Sequence, residues 1–117
     1  MGRFDTVVLN GHAVLPGRGA VRADVGMKDG KISAVGEELS SSDADEAIDA
    51  GGGLVLPGAV DSHFHLGIYR DITEDAKSET LSSLAGGVTS VVSYFRTGSH
   101  YLGKSGPYAE ILPEVLE

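Results

Sequence analysis

Apolar and polar residues alternate with a period near two along the first 56 residues and with a helical period farther on. That change divides the chain. Phe4-Asp5-Thr6-Val7-Val8-Leu9 predicts a strand. Asn10-Gly11 then predicts a two-residue hairpin turn into His12-Ala13-Val14-Leu15. After the loop Pro16-Gly17-Arg18-Gly19, Ala20 to Lys28 predicts a third strand, with Val21, Ala23, Val25 and Met27 on one face. Asp29-Gly30 is a second tight-turn signal, leading into a fourth strand over Lys31 to Gly36. Ser40 to Glu46 is polar and predicts a solvated loop. Ala47 to Ala50 and Leu54 to Leu56 predict short strands on either side of three glycines. Together these elements predict a small antiparallel sheet, half of a sandwich.

Pro57-Gly58 breaks the run and re-aims the chain. Val60 to Leu66 predicts a strand. Asp71-Ile72-Thr73-Glu74 has the spacing of a helix N-terminus, and Ala76, Thr80, Leu81, Leu84 and Ala85 recur at helical intervals. Gly86-Gly87 predicts the helix end. Val88 to Phe95 is the β-branched run of a buried parallel strand. Strand, helix and strand predict a βαβ unit with a right-handed crossover. Arg96 to Gly106 is a loop, and Pro107 opens a second helix with Ile111, Leu112, Val115 and Leu116 on one side, where Pro113 either interrupts it or starts a further turn. One βαβ unit cannot cover both faces of a parallel sheet, and a closed (β/α)8 barrel needs about 250 residues. The chain therefore reads as the front of a larger protein, or as a piece that requires a partner.

The chemistry concentrates in Asp61-Ser62-His63-Phe64-His65. Residues two apart on a strand leave the same face, with Cα atoms about 6.5–7 Å apart. His63 and His65 can thus reach one metal ion, with Asp61 on the same face one step back. The pattern is also compatible with ordinary strand histidines bonded to nearby carbonyls. His12, beside a turn, is expected at the surface. Cysteine is absent, so any metal is held by His, Asp, Glu or a modified side chain. The net charge of −8 and the lack of a basic stripe argue against nucleic acid. No apolar run approaches 18 residues, so no membrane span is expected. The opening residues lack the basic-then-apolar layout of a secretory signal, and a cytoplasmic location is expected.

These motifs, in order, resemble the N-terminal part of the metal-dependent amidohydrolases, in particular the cyclic group of hydantoinases, dihydropyrimidinases and allantoinases. The stretches that carry the likeness are Phe4 to Gly11, Ala23 to Gly36, Ile48 through Pro57-Gly58 into the D-x-H-x-H run Asp61 to His65, and Leu84-Ala85-Gly86-Gly87-Val88-Thr89-Ser90-Val91. The resemblance implies an α/β chain: the N-terminal half of a β-sandwich over residues 1–56, then the first strand-helix-strand of an incomplete TIM barrel over 57–117. It implies that His63 and His65 hold the more buried of two divalent ions, zinc being expected, while a carboxylated lysine, further histidines and an aspartate come from later strands. Lys104, in a loop, is not that lysine. No catalytic residue is assigned within this chain. Asp61 becomes a candidate support for the ligands, and Arg96 and His100 candidate contacts to substrate, set against the reading of a solvated loop.

The activity implied is hydrolysis of a C–N amide bond in a cyclic amide or ureide, such as a hydantoin, a dihydropyrimidine or allantoin, by metal-activated hydroxide. Dihydroorotases carry an arginine two residues after the histidine pair. Gly67 stands there, and Arg70 comes later, which sets that activity aside. The alternatives are a D-aminoacylase-like or other acyclic amidohydrolase, and a non-catalytic interaction protein with this fold. The expected partners are a small-molecule substrate and the remainder of the barrel or another chain, with a homo-oligomer when complete. The 117 residues alone are expected to be an inactive N-terminal fragment.

Overall fold

The computed structural model describes residues 2–68, 70–94 and 105–116, with the backbone alone at 114–116. The chain forms two compact units, Met1–Pro57 and Gly58–Glu117. The first holds β1 (Phe4–Leu9), β2 (His12–Leu15), β3 (Gly19–Arg22), β4 (Asp24–Lys28), β5 (Lys31–Gly36), β6 (Ala44–Asp49) and β7 (Leu54–Val55). These make two sheets, of order β5-β4-β1-β6 and β3-β2-β7.

Two sheets replace the single antiparallel sheet expected, and each contains a parallel pair, β1 with β6 and β2 with β7. The Asn10-Gly11 hairpin does not form. A type I′ turn needs positive φ at both positions; Asn10 has φ 58°, whereas Gly11 is not in that region. Two distant carboxylates capture Asn10 instead. Its N–H donates to Asp24 Oδ1 at 2.9 Å and its side-chain Nδ2 to Asp49 Oδ1 at 3.1 Å. Gly11 lies so close to Val55 and Ala50 that a Cβ would stand 2.5 Å from Val55 Cγ2 and 3.2 Å from Ala50 Cβ. The chain thus passes from one sheet to the other at this point. The expected strand Ala20 to Lys28 makes the same passage at Ala23, whose N–H donates to the Gly11 carbonyl at 3.2 Å.

Asp29-Gly30 does form its turn. Both residues have positive φ, 51° and 71°, and Lys28 pairs with Lys31 across it. The shared face of Val21, Ala23, Val25 and Met27 also holds. Ala13, Ala23 and Val25 are buried together, and Val8, Leu15, Val21, Met27 and Val55 pack against them. Alternation survives the passage between sheets because the inward face stays inward. The polar stretch contains a short 3-10 turn at Ser41–Asp43, capped by the Ser40 side chain.

The second unit contains β8 (Ala59–His65), α1 (Ile72–Ala85), β9 (Val88–Tyr94) and α2 (Tyr108–Leu116). β8 and β9 pair in parallel, as expected for a βαβ unit. Their start depends on Gly58: a Cβ there would lie 2.6 Å from Thr89 Cβ and overlap the rest of that side chain. Asp71 caps α1 by accepting the Thr73 N–H at 2.9 Å, and Gly87, at φ 86°, follows its end. On the helix Leu81 and Leu84 are exposed, and the buried residue is Asp75. α2 runs through Pro113 rather than stopping there. A proline in a helix removes one i→i−4 bond, and the first turn here is secured by bonds from Glu110 and Ile111 to the Pro107 carbonyl. Among the described residues, no helix is long and apolar enough to cross a membrane.

Candidate metal centre

The histidine strand is irregular where it matters. Asp61 pairs with Val91 and Phe64 with Ser93, so β8 takes three steps where β9 takes two. Such an extra residue bends the strand and re-aims its side chains. Asp61 secures the irregularity: its Oδ1 accepts the His63 N–H at 3.0 Å. Asp61 therefore meets His63 through the backbone.

The two rings converge. His63 Nε2 and His65 Nε2 are hydrogen-bonded to one another at 3.0 Å, with ring centroids 4.8 Å apart and planes tilted by 48°. Tyr94, paired with His65 across the ladder, packs against both imidazoles at centroid distances of 5.2 and 5.0 Å. Two nitrogens bound to one tetrahedral zinc at about 2.0–2.1 Å stand roughly 3.3–3.4 Å apart. The observed separation lies within a few tenths of an ångström of that value, so the donor pair fits a metal ion. Among the described residues, no cluster of three or more His, Asp or Glu side chains could hold one.

Beyond His65 the chain is tied to α1. Leu66 is buried, and Gly67, at φ 77°, donates its N–H to Asp75 Oδ2 at 2.9 Å. Arg70 Nε lies 3.6 Å from Asp75 Oδ1 and its Nη2 3.5 Å from Glu79 Oε1. The position at which a dihydroorotase would carry arginine is therefore a glycine locked to a helix carboxylate.

Sequence reasoning missed Tyr94 and Asp75. The first was findable, because parallel pairing sets the ends of neighbouring strands side by side. Asp75 gave no signal, since it sits among Glu74, Lys77 and Glu79 and reads as part of a solvated face. His12 is half-buried, with Nδ1 3.1 Å from the Gly52 carbonyl oxygen. Arg96 and His100 lie outside the described residues.

No family model matches the chain. It is 40% identical over 93 residues to an allantoinase of Bacillus licheniformis, a match covering 76% of this chain and 20% of that protein. It is similar to the structure of an L-hydantoinase (dihydropyrimidinase) from Arthrobacter aurescens, with 35% identity and a TM-score of 0.66, covering 77% of this chain and 20% of the other. An N-acyl-D-glutamate deacylase from Bordetella bronchiseptica, solved with zinc and a phosphonate inhibitor, is 32% identical with a TM-score of 0.65, over 79% of this chain and 19% of that one. The chain spans about a fifth of the length of the relatives it matches.

Proposed function

We propose, for a chain that belongs to the N-terminal region of the cyclic amidohydrolase family, that the complete protein is a metal-dependent hydrolase of C–N bonds in a cyclic amide or ureide. One observation carries the reading: the His63 and His65 Nε2 atoms converge to 3.0 Å at the C-terminal end of a parallel strand. Barrel active sites lie at that end of their strands. On this reading residues 57–117 begin a (β/α)8 barrel with β8 as its first strand, and residues 1–56 are half of a sandwich.

His63 and His65 would hold a divalent ion through Nε2, zinc being the expected metal. When bound, such an ion polarises a carbonyl and lowers the pKa of a water toward ~7. Asp61 fixes the backbone of His63, and Tyr94 limits rotation of both rings. The histidines act as ligands and do no proton transfer.

The test is metal content and hydrolysis of allantoin, hydantoin and dihydrouracil by the complete protein. His63→Ala is expected to lose both metal and turnover. A His63→Ala protein with full metal and full activity would overturn the reading. A second reading, hydrolysis of an acyclic N-acyl amino acid, is favoured by the likeness to the deacylase. Turnover of N-acyl-D-amino acids, without ring opening of the cyclic substrates, would select it.

A further inference from the structure

We infer that Asp75 is a positioning residue for the histidine pair: held between the Gly67 N–H and the Arg70 guanidinium, its buried carboxylate pins the turn leaving β8 and keeps the two imidazoles converged. The functional meaning of this role rests on the metal-site reading above.

Asp75 is the buried residue of α1, only 5% exposed. A carboxylate withdrawn from water persists where hydrogen bonds and opposite charge compensate it. Here both come from the segment that follows the histidines. Gly67 donates its N–H at 2.9 Å, and Arg70 places Nε at 3.6 Å. Arg70 also reaches Glu79 at 3.5 Å and Ser78 Oγ at 3.4 Å, one turn along the helix. α1 thus holds both Gly67 and Arg70.

The clamp begins two residues beyond His65. On its other side His65 is fixed by pairing with Tyr94, and His63 is held by Asp61. Gly67 sits at φ 77° and, lacking a Cβ, can equally adopt negative φ, so its bond to Asp75 helps to select the observed turn. Releasing Gly67 lets the turn relax, and His65 is the first functional side chain to move.

The experiment compares Asp75→Leu and Asp75→Asn in the complete protein by NMR. Leucine approximates the volume but removes the acceptor, whereas asparagine keeps an oxygen for the Gly67 N–H. The first readout needs no metal: the nuclear Overhauser contacts between the His63 and His65 rings. The second is zinc affinity, followed on the same ring resonances.

Asp75→Leu is expected to lose the ring–ring contacts and to weaken zinc binding by about tenfold or more, the size seen when a group supporting a metal ligand is removed. Asp75→Asn is expected to retain the contacts and to bind zinc within about threefold of the unaltered protein, since only the charge is lost. A folded Asp75→Leu protein with unchanged ring contacts and zinc affinity, even with a lower Tm, would overturn the inference. Should Asp75→Leu fail to fold, hydrogen exchange in the unaltered protein decides. A protected Gly67 amide supports the clamp, and one exchanging at the open-chain rate overturns it. Zinc that moves neither ring in the complete protein would defeat the metal reading, and the ring contacts would still decide the role of Asp75.

Discussion

An imidazole binds a metal only through an unprotonated nitrogen. Zinc binding at His63 and His65 should therefore weaken on acidification. Zinc titrations at a series of pH values, read on the two rings, check this. Gly58 makes a different prediction. The close approach of Thr89 leaves no room for a methyl group, so Gly58→Ala should destabilise the second unit by roughly 1–3 kcal/mol, measured by urea unfolding. The histidine pair was legible in the sequence because the period-two rule is local. Asp75 was not, because its burial is decided by a glycine eight residues earlier in a turn of positive φ.

Asn10-Gly11 and Asp29-Gly30 carry the same turn signal, yet only the second becomes a hairpin. The difference lies in Asp24 and Asp49, which draw Asn10 into a corner between sheets, and no short window of sequence contains that pull. The same interactions predict how the first unit responds to pH. The Gly51 N–H, and then the Asn10 amide, hold the Asp49 carboxyl below its usual range. The hydrogen bond from Lys28, and then the Asp29 N–H, do so for Asp5, and Asp5 in turn raises Lys28. Groups lowered by folding stabilise above their unfolded value, near ~3.9, and lose that contribution as pH falls through the folded value. The first unit should thus weaken on acidification below about pH 4. Lys28 contributes below its unfolded value, near ~10.4, and loses that contribution as pH rises through its raised folded value. Asp49 is exposed and Asp5 and Lys28 remain partly open to water, so each effect is small. Asp49→Asn should flatten the acid limb of a plot of urea midpoint against pH, and Asp5→Asn should flatten both limbs.

Across the whole molecule, strand and helix order were legible because alternation and helical periodicity are strong over these lengths. Division of the first unit into two sheets was not, because a strand that changes sheets keeps its alternation. In the second unit Val60 on β8 and Leu81 and Leu84 on α1 are exposed, although parallel sheets are ordinarily covered on both faces. The expectation for function follows from the ligand count. Two histidines are fewer than the three protein ligands a catalytic zinc usually takes. Residues 1–117 alone should therefore show no measurable hydrolysis of allantoin or hydantoin, whereas the complete protein should. Turnover by the chain alone would mean that a site is completed within it.

The most direct measurement is anomalous diffraction at the zinc edge from crystals of the metal-loaded complete protein. The account predicts a peak bonded to Nε2 of both His63 and His65, at about 2.0–2.1 Å from each. A fully occupied, catalytically competent metal site that excludes either histidine would contradict it.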